Sequence, residues 1–198
     1  MKRPHRTLTF AASIVAAALS SAPAPAQTYV PQPDLEHPKI QYSDSTVSMN
    51  DRCPVRHGKL NTGYKPVYVN GRPIGFCCTS CPGTFVQEPE KYLKEVGVRV
   101  PSLFKGGKSP VLDSSLRAQV NFEIYFFANA AEKKRFLADP IRYCGKVTDP
   151  ISYARFRPTA ASPKATYGNR VYYFTSESTR AAFLADPVTH KDRRTGTT

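Results

Sequence analysis

Three of the chain's five cysteines, Cys77, Cys78 and Cys81, fall in the stretch GFCCTSCPGTF from Gly75 to Phe85, and Cys53 precedes Cys77 with 23 residues between them. Thiolates are soft donors, so converging sulfurs suit zinc, copper(I) or another thiophilic ion, with four ligands for tetrahedral zinc or three for copper(I). A helix beginning near Cys78 would set Cys77 and Cys81 four positions apart and facing one spot, with Cys53 brought in on the preceding loop. The positive end of that helix would favour the deprotonated thiol that an ion requires. Two residues offer a fourth ligand: Cys78, adjacent to Cys77, and His57 of CPVRHGK, in a loop with Gly58. The expected metal set is Cys53, Cys77 and Cys81, completed by Cys78 or His57, and the expected cofactor is a zinc or copper ion.

A rival chemistry is written in the same residues. Cys78-Thr79-Ser80-Cys81 has the Cys-x-x-Cys spacing of a thiol–disulfide pair. The strand–helix–strand surroundings of a redox enzyme are absent, since Pro82-Gly83 follows directly. Five cysteines also leave one over from any even disulfide framework. Cys144, in YCGKVTDP, reads as a half-buried thiol packed near Tyr143, with pairing to Cys78 as the alternative. No nucleophile triad, phosphate loop or paired carboxylates stand out, so the expectation is a binding module and not an enzyme.

The elements that must position these sulfurs emerge when the chain is compared with itself. FCCTSCPGTFVQEPEKY from Phe76, FANAAEKKRFLADPIRY from Phe127 and FTSESTRAAFLADPVTH from Phe174 align without gaps. Each opens on Phe and has a second Phe nine positions on (Phe85, Phe136, Phe183), a Pro four further (Pro89, Pro140, Pro187), then Tyr92, Tyr143 or His190 three later. Strand-like runs precede each: Pro66 to Asn70 with Ile74 to Phe76, Gln119 to Phe127, and Ala165 to Phe174. The VNGR and YGNR turns fold the first and third into hairpins. Helices are expected over Ala130 to Ala138, capped by Asn129, and over Glu177 to Ala185, capped by Ser176 or Thr175. Asp-Pro then stops each of these two helices. Candidate opening pairs are Cys53-Pro54, Ser109-Pro110 and Asp149-Pro150.

The sequence thus predicts an α+β protein of small hairpin-plus-helix units repeated three times after an export signal. The second and third copies carry Ala128 and Glu132, or Thr175 and Thr179, where the first has Cys77 and Cys81. A unit that keeps its aromatic framework without the thiols does not need them as a staple, which assigns the first copy's cysteines to chemistry. Cys78 aligns with Asn129 and Ser176, both capping types, so a place at the helix cap is its other reading.

Cys53-Pro54-Val55, the ending GFCCTSC, Phe85 and the tail EPEKYL resemble the YHS and TRASH families of small heavy-metal-associated domains. The resemblance spans Cys53 to Leu93 and extends weakly to the other copies. It implies a treble-clef-like or zinc-ribbon-like fold, and metal binding, sensing or trafficking without a catalytic step. It also implies Cys77 and Cys81 as ligands, with Cys53 as the upstream cysteine of the TRASH pattern. The opening differs from the Asp-Pro-Val-Cys-Gly of many YHS domains, because Cys53-Pro54-Val55 is followed by Arg56-His57.

Residues 1–26 have a basic start, an apolar run from Leu8 to Leu19 and a small-residue Ala24-Pro25-Ala26, the layout of a secretory signal. Its removal would take Lys2, Arg3 and Arg6, lowering the net charge from +13 to +10. The remaining basic residues are scattered and no nucleic-acid motif is present, so nucleic acid is not expected as a partner. Residues 27–50 read as an extended linker. The expected organisation is a signal over 1–26, a linker over 27–50, a metal-binding unit over 51–96 and degenerate repeats over 109–144 and 145–191. The expected setting is the periplasm or the exterior, with no membrane span after cleavage and a metal-transport protein or metalloprotein as partner.

Overall fold

The computed structural model describes residues 27–30 and 36–192, and the expected signal segment lies outside them. Two short strands, β1 (Thr28–Tyr29) and β2 (Ile40–Gln41), pair antiparallel. The first unit follows as the hairpin β3 (Val67–Val69) and β4 (Arg72–Ile74), then helices α1 (Cys81–Phe85) and α2 (Pro89–Glu95). The second comprises β5 (Arg117–Val120), β6 (Glu123–Phe126), α3 (Ala130–Ala138) and α4 (Pro140–Tyr143). A small ribbon, β7 (Val147–Thr148) with β8 (Arg155–Phe156), leads to β9 (Lys164–Tyr167), β10 (Arg170–Tyr173), α5 (Glu177–Ala185) and α6 (Pro187–His190). The chain is α+β, built of small hairpins and helices.

The aromatic spacing of the sequence becomes one packing motif used three times. Phe76 meets Phe85 with ring centroids 5.4 Å apart, Phe127 meets Phe136 at 5.1 Å, and Phe174 meets Phe183 at 5.3 Å. All six rings are buried. Such pairs add about 0.5–1.5 kcal/mol beyond the area they bury. The nine-residue step carries the chain from the end of a hairpin onto a helix whose inner side returns a ring to the first. Asp139 and Asp186, which precede the prolines, leave the helical region with φ near −149° and −147°. Each Asp-Pro thereby ends one helix and starts a short second one.

The hairpins share a turn geometry. Asn70, Asn121 and Gly168 each stand six residues before the framework Phe and adopt φ of 46°, 51° and 61°. Asn and Gly tolerate this left-handed region, and a two-residue hairpin turn requires it. Gln119 to Phe127, expected as one strand, is therefore a hairpin, its turn concealed because Phe122 follows Asn121 where the other turns have Gly71 or Asn169.

Two of these asparagines also tie consecutive units together. Asn70 Nδ2 donates to the carbonyl of Phe126 at 3.0 Å and Phe126 N donates back to Asn70 Oδ1 at 2.8 Å. Asn121 makes the same pair with Tyr173, both bonds at 2.8 Å. β3 also runs parallel to β6, which joins the first two hairpins into a four-stranded sheet ordered β4-β3-β6-β5.

The stretch expected as a linker is packed over its described residues 36–50. Ile40 and Tyr42 are buried in the first core with Phe76, Phe85, Leu93 and Ile124. Gly75 lies beneath Tyr42, and a Cβ there would come within 2.9 Å of Leu60 and 3.1 Å of the tyrosine hydroxyl. The prolines and polar residues of this segment concealed two apolar side chains sufficient to anchor it.

Candidate metal centre

Cys53, Cys77 and Cys81 converge, with their Sγ atoms all within 4.8 Å of one another. Each comes from a different local structure. Cys53 starts a loop closed by its own N–H donating to Gly58 O at 2.9 Å and by His57 N donating to Cys53 O at 2.8 Å. Cys77 follows Phe76 just beyond β4, and Cys81 is the first residue of α1. Gly58 passes beside Cys77, where an added Cβ would sit 3.8 Å from the Cys77 Cβ.

Asn50 joins two of these segments. Its Nδ2 donates to Arg52 O at 2.8 Å and to Gly75 O at 2.9 Å, while Gly75 N donates to its Oδ1 at 2.9 Å. The residue before Cys53 is thus pinned to a residue two before Cys77. This clamp was not read in the sequence. The signal available was an asparagine six residues before a framework Phe in two copies; Asn50 stands outside that spacing and performs the same task for the first.

The spacing fits a sulfur-bound ion. Bonds of about 2.3 Å place sulfurs about 3.8 Å apart around a tetrahedral ion and about 4.0 Å apart around a trigonal one. Cys77 Sγ and Cys81 Sγ are 3.8 Å apart. Cys53 and Cys81 are buried and Cys77 is half-buried, leaving the site one partly open side. Burial, then the neighbouring Cys53 sulfur, pushes the Cys77 thiol up to about 11. Burial together with Cys78 and Cys53 also pushes Cys81 upward. Without an ion both keep their protons, so binding must release them.

The expectation of a helix near Cys78 that lowers the ligands' pKa is corrected on both counts. The helix begins at Cys81 and has five residues, whereas α3 and α5 begin two positions earlier relative to the framework Phe. Asn129 Oδ1 accepts from Glu132 N and Ser176 Oγ from Thr179 N, but the first unit has Cys78 there and no side-chain cap bond forms. Pro82 in the first turn and Gly83 after it fix the late start and weaken the helix.

Cys78 and His57 fall outside the group of three. His57 is exposed, with φ of 56°. Tyr153 has the same φ in a matching loop, where Asp149 N donates to Ala154 O and Tyr153 N to Asp149 O, so this backbone belongs to the loop and not to a ligand role. Cys78 Sγ lies 2.7 Å from Cys81 Sγ and 3.4 Å from Ser80 Oγ. Burial pushes the Cys78 thiol up, but contacts with Cys81 and Ser80 outweigh it and hold the pKa at about 6. No disulfide joins the five cysteines, and Cys144 is buried in the second core with Tyr125, Phe136 and Val147.

The third unit fills the equivalent positions with oxygen. Asp149 Oδ2 accepts from Thr175 N at 2.7 Å, Thr175 Oγ1 at 2.8 Å and Thr179 Oγ1 at 2.9 Å. In the second unit Glu132 Oε2 accepts from Ala128 N at 3.0 Å. The positions of Cys77 and Cys81 are thus bridged in each unit, by hydrogen bonds in two of them, and the first alone places three thiols at this junction.

Comparison with family models, with curated proteins and with solved structures returned no match. Among the described residues no helix is long and apolar enough to cross a membrane.

Proposed function

We propose that this is an exported protein that holds a soft metal ion, copper(I) or zinc, on Cys53, Cys77 and Cys81 for storage or delivery, without a catalytic step of its own. The observation that carries this reading is the convergence of those three sulfurs. Three thiolates suit trigonal copper(I) directly, while zinc would need a fourth donor from Cys78, His57 or water. The resemblance of Cys53 to Leu93 to YHS and TRASH domains supports the same assignment. The layout of residues 1–26 supports export to the periplasm or beyond, where a metal-transport protein or metalloprotein would be the partner. The test is metal analysis of protein purified under reducing, anaerobic conditions and loaded with copper(I) or zinc. One ion per chain is expected, and none in the Cys77→Ser/Cys81→Ser variant; full stoichiometry in that variant would overturn the assignment.

A second reading, thiol–disulfide exchange, is favoured by one observation, the 2.7 Å contact of Cys78 and Cys81. A small-molecule disulfide would accept the two electrons and two protons that these thiols release as their S–S bond forms, leaving as two thiols. Thiol counting after exposure to oxidised glutathione distinguishes the readings: loss of two thiols from protein that holds no ion favours exchange. Retention of every thiol by the ion-loaded form favours metal holding.

A further inference from the structure

Cys81 belongs to two arrangements at once. Its Sγ is one of the three that lie within 4.8 Å of one another, and it also sits 2.7 Å from Cys78 Sγ, nearer than the 3.8 Å that separates it from Cys77 Sγ. No bond joins Cys78 to Cys81, since all five cysteines are free. Cys78 is the more open of the two: it is half-buried where Cys81 is buried, and its other contact is Oγ of the exposed Ser80 at 3.4 Å.

Cys78 is also an unfavourable choice for its position. The equivalent residues, Asn129 and Ser176, cap α3 and α5 through a side-chain oxygen, and the first unit forgoes that bond. Cys78 stands outside the group of three, so metal holding by those thiols does not account for it. What a cysteine gains there is contact with the sulfur of Cys81, three residues on at the start of α1.

We infer that Cys78 gates the metal centre: a disulfide between Cys78 and Cys81 and an ion on Cys53, Cys77 and Cys81 exclude one another. This inference rests on the metal-holding reading and adds a control over when the ion is held. The oxidant is a small-molecule disulfide of the glutathione class. Cys78 Sγ attacks one of its sulfurs, so the oxidant's S–S bond breaks, a mixed disulfide forms and one thiol leaves. Cys81 Sγ then attacks the Cys78 sulfur, closing the protein's S–S bond and expelling the second thiol. The two electrons and two protons given up by the protein thiols end on the two small thiols released. A disulfide sulfur is no longer a thiolate ligand, so Cys53 and Cys77 alone remain for the ion. An ion already on Cys81 occupies the sulfur that must complete the exchange. By linkage it opposes the disulfide by the same factor as the disulfide weakens the ion.

The test treats reduced, metal-free protein with oxidised glutathione under anaerobic conditions, removes the small molecules, and measures copper(I) affinity against a chromophoric chelator. The wild type should lose two thiols with no added mass, and peptide mass spectrometry should place the new bond between Cys78 and Cys81. Its copper(I) affinity should fall at least about 100-fold, since removing a residue that merely orients a ligand already costs about 10–100-fold. Dithiothreitol should restore it. Protein saturated with copper(I) beforehand should keep all five thiols. Cys78→Ser leaves the three ligands in place and should bind copper(I) with wild-type affinity both before and after the oxidant. Cys78→Ala repeats the measurement should the serine variant lose its native circular dichroism spectrum. The reduced wild type reports on metal holding by itself: no copper(I) there would overturn that reading and the gate with it. Unchanged affinity in the oxidised wild type, a glutathione adduct persisting on Cys78, a disulfide that includes Cys53 or Cys77, or weakened binding by Cys78→Ser in either state would overturn the gate alone.

Discussion

Asn50→Ala is the most informative single substitution, because Asn50 touches no sulfur and yet holds two sulfur-bearing segments together. It removes three hydrogen bonds, two to Gly75 and one to Arg52, at a residue only 3% exposed. At about 1 kcal/mol each, with the Gly75 amide and carbonyl left buried, the loss is about 3 kcal/mol. A chain of this size loses about 2–4 °C per kcal/mol, so the melting temperature should fall by about 6–12 °C. The three thiols remain, so one ion should still bind. Its affinity should fall about 10–100-fold, the usual effect of removing a residue that orients a ligand. Asn50→Asp should not rescue, because a carboxylate keeps the acceptor for Gly75 N but faces the carbonyls of Arg52 and Gly75. Calorimetric melting and competition against a chromophoric chelator read both effects. Wild-type melting and wild-type affinity in Asn50→Ala would refute the idea that this clamp sets the distance from Cys53 to Cys77.

Other outcomes follow from the same geometry. Asp149→Ala strips the acceptor from Thr175, Thr179, Ile151 and Ser152, and should destabilise the third unit by about 4 kcal/mol while leaving ion stoichiometry intact, as calorimetry and metal analysis would show. Burial pushes the Asp149 carboxyl up, but its donors outweigh that and hold it below the ordinary carboxylate value. Its stabilising contribution is therefore complete above that value and lost as pH falls through the lower folded pKa; acid unfolding monitored on third-unit amides checks this. Cys77 behaves in the opposite sense, since its pKa rises to about 11 on folding. The ion-free protein should lose stability as pH climbs from the ordinary thiol value toward 11, whereas metal affinity should rise with pH because each ligand must release its proton. Phe183→Ala should cost about 3–5 kcal/mol, measured by chemical unfolding, because the ring is fully buried against Phe174 and Tyr172.

Much of the hairpin-plus-helix framework was legible because it rests on local rules. The Phe pairs, the caps Asn129 and Ser176, and the Asp-Pro stops each act over fewer than about ten residues and need only helix and turn geometry. The late start of α1 was missed because the alignment transfers a helix from copies with oxygen caps to one with Cys78 in that place. The clamps of Asn50, Asn70 and Asn121 join residues 25 to 56 positions apart, and no periodicity marks such contacts. Within the site, Cys53, Cys77 and Cys81 were identified by residue type and spacing alone, while the separate placing of Cys78 and His57 depends on loop geometry that spacing does not encode. The Asp149, Thr175 and Thr179 cluster was within reach, since the alignment had already paired those positions with the three cysteines.

X-ray absorption at the metal edge of copper(I)-loaded or zinc-loaded protein interrogates the thiol centre most directly. Three sulfur neighbours at about 2.3 Å are expected, and no retained metal to give a signal when Cys77 and Cys81 are both serine. A first shell of nitrogen or oxygen, or three sulfurs persisting in that double variant, would contradict the convergence of Cys53, Cys77 and Cys81 on one ion.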